Sequence, residues 1–136
     1  MTRRVLPIAA LLMMAGVTPT AAAPELLHGW ASAYAPGVMD EVIRYRLDTG
    51  VWRNPLPRDW YTTAGAIATN DCNQVGQVLT LVTADGREWP VLVADCGGDD
   101  GGAEWMTRHG IVAELDWDLF TRLTAIHGRP LEVTLR

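Results

Sequence analysis

The sequence predicts an all-β fold with short helices, built as a small closed barrel of six strands. Three observations carry this. Six segments of strand length alternate or run apolar, only two segments have helical periodicity, and the chain of 136 residues is short for a large sheet. So many strands in so little chain favour closure, because a barrel leaves no unpaired edge, with the helices plugging or flanking it.

The N-terminal segment is set apart from this domain. Arg3 and Arg4 precede an apolar run from Val5 to Val17 that is too short to span a bilayer, and Thr20-Ala21-Ala22 supplies small residues for cleavage. This predicts a signal peptide over 1–22 and a barrel domain over 23–136, in a secreted or periplasmic protein with no membrane attachment after cleavage. An arginine pair alone does not define a twin-arginine signal.

The first strand is Gly29 to Tyr34, ended by Ala35-Pro36-Gly37. From Val38 to Leu47, Val38, Met39, Val42, Ile43 and Tyr45 recur at helical spacing. Asp40 and Glu41 come early and Arg44 and Arg46 late, as the helix dipole favours. Asp48-Thr49-Gly50 stops that helix, and Trp52 to Trp60, with Pro55 and Pro57, reads as an ordered loop. One strand is expected within Tyr61 to Asn70. Gln77 to Thr83 and Glu88 to Ala94 form a hairpin around Ala84-Asp85-Gly86-Arg87. Cys96 to Gly110, rich in glycine, is expected to lack regular structure. Ile111 to Leu115 is a strand. Asp116 then caps a helix whose Leu119, Phe120, Leu123 and Ile126 are expected to face the core, with Gly128 as its stop. Leu131 to Leu135 closes the barrel.

Composition excludes some partners. There is no lysine, and sixteen acids outnumber eleven arginines for a formal charge of −5. Without a basic stripe, nucleic acid and anionic membrane are poor partners. Cys72 and Cys96 are the only cysteines, and in an exported chain the simplest reading is one disulfide, worth about 3 kcal/mol, with two free thiols as the alternative. Neither belongs to a metal-binding cluster, and Asp99-Asp100 with Glu104 lacks the spacing of a calcium loop, so neither metal nor other cofactor is expected.

Chemistry points to two carboxylates at strand ends. Asp95 follows Val91-Leu92-Val93-Ala94, and Glu114 interrupts the apolar run Ile111 to Leu115, so each is expected to be partly desolvated, a state that perturbs acids toward proton transfer.

These parts resemble a known family. Gly29-Trp30-Ala31-Ser32-Ala33-Tyr34-Ala35-Pro36-Gly37 is similar to the G-x-A-S-W-Y-G-P-G opening of the rare-lipoprotein-A-like double-psi β-barrel proteins. Gly76 to Val82, Asp85-Gly86-Arg87, Val91 to Asp95 and Ile111 to Asp116 resemble that family's later motifs in the same order. The resemblance implies a six-stranded double-psi β-barrel. Its relatives include expansins, barwin-like proteins and some endoglucanases, which bind or cleave cell-wall polysaccharide in a groove across the barrel. The departures are that Ala94-Asp95-Cys96-Gly97-Gly98 replaces N-D-R-G-P, that the loop before Glu114 is longer, and that a helix and a tryptophan-containing loop follow the first strand.

The implied activity is lytic cleavage of peptidoglycan glycan strands, with Asp95 as acid/base and Glu114 as its tuner or substrate-orienting partner. His109 is a candidate for proton transfer or sugar binding, and Tyr34 and Trp105 are candidate stacking surfaces for sugar rings. His28 reads as a surface residue and His127 as a partner of the helix C-terminus. The bland alternative for Asp95 is an anchor for the glycine-rich loop, and for the tryptophans, core packing. At the level of the molecule, a non-catalytic expansin-like binding module or a secreted protein-binding or inhibitor domain are the alternatives, and a monomer is expected.

Overall fold

A computed structural model describes residues 26–97 and 101–136, and the predicted signal peptide lies outside them. The six strands are β1 (Leu27–Ala33), β2 (Gly65–Thr69), β3 (Val78–Thr83), β4 (Glu88–Cys96), β5 (Ile111–Leu115) and β6 (Leu131–Leu135). They close in the order β1-β5-β2-β4-β3-β6, so the predicted six-stranded barrel is present. Its pairing is mixed: β1 with β5 and β2 with β4 are parallel, and the other four pairs are antiparallel.

Alternation along the strands builds two apolar layers. Ile67, Val91, Val93, Leu115, Leu131, Val133 and Leu135 point inward and form the main core, while Ala66, Ala68, Leu92 and Ala94 point outward. Helix α1 (Val38–Thr49) covers that outer face with Met39, Val42 and Ile43. Small residues on the strands let the helix approach closely. It ends where Gly50 takes a left-handed conformation, φ 68°, that other residues adopt only with strain.

Helix α3 (Trp117–His127) sits at one end of the barrel, its Leu119, Phe120 and Leu123 joining the main core. The Asp116 side chain caps it by accepting from Leu119 N–H at 2.7 Å and also accepts from Ala66 N–H at 2.6 Å, which ties the helix start to β2. Ile126 does not face the core. It is 48 % exposed.

The segment 96–110 also departs from expectation. Its second half forms helix α2 (Ala103–Arg108), in which Met106 is buried and Arg108 pairs with Glu104 one turn earlier. The glycines cluster before this stretch and at Gly110, leaving six residues of adequate helix propensity between them.

Cys72 and Cys96 form the disulfide, with Cα atoms 5.0 Å apart, fastening a short 3₁₀ turn (Cys72–Gln74) to the end of β4. No helix among the described residues is long and apolar enough to cross a membrane.

Candidate functional site

Closure brings the two carboxylates to one wall. Ala68 of β2 is in register with Asp95 of β4 on one side and Glu114 of β5 on the other, and Glu114 is in register with Ser32 of β1. Four strands thus present Ser32, Glu114, Ala68 and Asp95 as one row on the outer face. Asp95 and Glu114 are two strand spacings apart, roughly 10 Å between main chains.

Irregularities in both parallel pairs set this row. Along β4 the register passes from Val93 directly to Asp95, leaving Ala94 unpaired, and along β5 it passes from Ile111 to Ala113. An extra residue shifts every later side chain to the opposite face. Asp95 therefore faces outward beside Ala68, although strict alternation from Val91 and Val93 would turn it inward.

Asp95 is held from above. The Tyr34 hydroxyl donates to Oδ2 at 3.0 Å and Arg46 Nη2 donates to Oδ1 at 3.1 Å. The side chains of Arg46 and Asp95 are 17 % and 23 % exposed, so the pair is largely withdrawn from solvent. Arg46 also donates from Nη1 to the Val51 carbonyl at 3.0 Å and lies over the Trp52 ring, while its Nε is buried without a hydrogen-bond partner. The guanidinium comes from helix α1, and the residue that follows Asp95 is the disulfide-bonded Cys96.

Glu114 is half-buried and accepts from the Ser32 hydroxyl at 3.1 Å. Burial pushes its carboxyl above the ordinary glutamate range, the Ser32 hydrogen bond pulls the other way, and the Asp95 charge pushes it up again. An open depression of about 350 Å³ beside Asp95 is lined by Glu41, Val42, Tyr45, Arg46 and Asp95. Glu114, one strand beyond Ala68 from Asp95, does not line it.

Of the predicted site residues, Asp95, Glu114 and Tyr34 come together on this wall. His109 and Trp105 instead pair with each other, their rings 4.7 Å apart and the Trp105 carbonyl 2.8 Å from His109 Nδ1. His109 sits in the turn two residues before β5, with Glu114 toward the far end of that strand. His28 is a surface residue that contacts Glu132 and Thr134. His127 ends α3 as expected, 3.9 Å from Asp85. Asp99 and Asp100 lie outside the described residues.

Sequence reasoning missed Ser32 and Arg46 as members of the site, and ranked Trp52 below Tyr34 and Trp105 as a sugar-stacking residue. Arg46 was visible only as a residue suited to the end of a helix, since its partner lies 49 positions away. Comparison with known proteins finds no family model, curated protein or solved structure that matches this chain. The resemblance above therefore rests on the motifs alone, and the chemistry rests on the wall.

Proposed function

We propose that this is an exported, glycan-active protein of the rare-lipoprotein-A-like kind, cleaving peptidoglycan glycan strands by a lytic acid/base route. The observation that carries the reading is Glu114: a half-buried carboxyl, raised by its burial and by a second carboxylate in the same row, Asp95, which itself borders an open depression. The disulfide suits an oxidising compartment.

The sequence assigns the proton to Asp95, but that side chain is engaged by a guanidinium and a phenol. Glu114 is the carboxyl left for proton transfer, and we assign it the acid/base role. In this reading protonated Glu114 gives its proton to the glycosidic oxygen as the bond from C1 to that oxygen breaks. The resulting carboxylate then takes the proton of the muramoyl 6-hydroxyl as that oxygen bonds to C1, so no water is consumed. Burial, and to a smaller extent the Asp95 charge, favours the protonated form of Glu114, and Asp95 faces the positive charge developing at C1. Tyr34 and Arg46 act as positioning residues for Asp95.

The ion pair between Asp95 and Arg46 also favours a second reading, a binding module that grips glycan without cutting it. Purified sacculi separate the two. Release of fragments bearing anhydro ends, lost in Glu114→Gln while pull-down on sacculi is retained, is the expected result. Pull-down with no fragments from the parent protein would leave the binding module, and neither binding nor release would overturn both.

A further inference from the structure

Helix α1 lies on the outer face of the barrel with an opening on each flank. One is the depression beside Asp95, to which α1 contributes Glu41, Val42, Tyr45 and Arg46. The other is a cleft of about 210 Å³ that takes Met39, Asp40 and Ile43 from α1, and the two linings share no residue. Its floor is apolar, formed by Ala66 of β2 and Leu92 of β4 together with Met39 and Ile43.

A 3₁₀ turn, Trp60–Thr62, adds two aromatic walls. The rings of Trp60 and Tyr61 both line the cleft, with their centroids 6.2 Å apart and their planes at 85°. Trp60 is partly exposed and Tyr61 is 72 % exposed, so a ligand can reach both from solvent. Two rings at right angles form a corner whose faces are electron-rich, and such faces attract a cation.

The charged groups of the lining are both carboxylates. Asp40 is exposed, and its side chain makes no hydrogen bond or ion pair among the described residues. Asp116 accepts from the Leu119 and Ala66 N–H groups, which leaves a carboxylate room for further donors. The Thr63 hydroxyl is already committed to the Trp60 carbonyl at 2.9 Å. No arginine lines the cleft, and the chain has no lysine. Arg122 donates to the Ala64 carbonyl close by, but it is not part of the lining.

The geometry points to a binding site for a primary alkylammonium ion in this cleft. Charge complementarity selects the ligand: two carboxylates without a cation call for a positive head group, the aromatic corner favours the same, and the floor favours an alkyl body. An ammonium brings three donors and no acceptor, which matches Asp40 and Asp116. Its alkyl chain covers Met39, Ile43 and Leu92 while the head group lies between Asp40 and the two rings. The cleft holds the volume of roughly seven liquid waters, which suits a short chain. This site does not depend on the wall being catalytic.

Titration of the isotope-labelled protein with pentylammonium at neutral pH, followed by NMR, tests it, with pentanol as the uncharged counterpart. The expected result is saturable shifts of the Trp60 indole N–H and of the Met39, Ile43 and Leu92 methyls, with pentanol binding at least about tenfold more weakly. Asp40→Asn should weaken pentylammonium about tenfold and Tyr61→Ala about threefold, and both side chains are exposed, so the variants fold. Asp48→Asn, at the other end of α1, should change nothing. Nα-acetyl-lysine methylamide separates the two sources of such a head group: binding of pentylammonium alone assigns a free amine, binding of both a lysine side chain, and either supports the site. No saturable shift with either amine, equal binding of pentanol, unchanged affinity in Asp40→Asn, or an equal loss in Asp48→Asn would overturn the proposal.

Discussion

Removing Arg46 tests how the wall is assembled. The pair it forms with Asp95 lies between the exposed and the buried extremes, since both side chains keep about a fifth of their surface. Exposed pairs contribute about 0–1 kcal/mol, whereas deleting one partner of a buried pair costs about 3–5 kcal/mol, so the ionic part of Arg46→Ala should cost about 2 kcal/mol. The lost hydrogen bond to the Val51 carbonyl and the lost contact over Trp52 add about 1 kcal/mol. Urea unfolding at neutral pH, followed by tryptophan fluorescence, should therefore show a loss of about 3 kcal/mol. The pairwise part comes from the cycle with Asp95→Asn, which keeps the acceptor for Tyr34, and should show a coupling of about 1 kcal/mol. A coupling within about 0.3 kcal/mol of zero would refute the reasoning, because Arg46 would then stabilise only through packing.

Other outcomes follow from the same contacts. Replacing Cys72 and Cys96 by serine should lower stability by about 3 kcal/mol, read as an earlier urea midpoint, and an unchanged midpoint would contradict the crosslink's role. Leu123→Ala should cost about 3 kcal/mol and Ile126→Ala less than about 0.5 kcal/mol, since one is fully buried in the core and the other stands outside it. Glu114→Gln should change how stability varies with pH. With the folded value raised above 4.5, the folded state binds the Glu114 proton more tightly than the unfolded chain does. Its favourable contribution is complete below 4.5 and is lost as pH rises through the folded value, so the variant should gain relative to the parent on going from about pH 4 to neutral. An identical pH profile for the two proteins would contradict the burial of that carboxyl.

Local chemistry made several elements legible. The turn Ala84-Asp85-Gly86-Arg87 announces the hairpin because Gly86 adopts φ 82° and Asp85 ties back to Thr83 and Arg87. Asp116 signals a helix start that its side-chain bond to Leu119 N–H realises. The alternation of β3 and β6 predicts their inward faces. Other features depend on distant chain. The placement of β2 between β4 and β5 is a matter of non-local pairing, and the two register shifts that aim Asp95 and Glu114 leave no signature in residue type. Helix α2 is hidden by the glycines around it, and its stability depends on burying Met106. The reach of Arg46 to Asp95 depends on how α1 lies on Ala66, Ala68, Leu92 and Ala94, a packing choice permitted by small residues.

The measurement closest to the account's core is the titration of the Glu114 side-chain carboxyl carbon by NMR, in the parent and in Asp95→Asn. The parent should titrate above an ordinary glutamate, and neutralising Asp95 should bring the midpoint down while the Ser32 hydrogen bond is kept. A midpoint that does not move in Asp95→Asn would mean that the two carboxylates do not sense each other across Ala68, and the wall would lose its claim to be a working site.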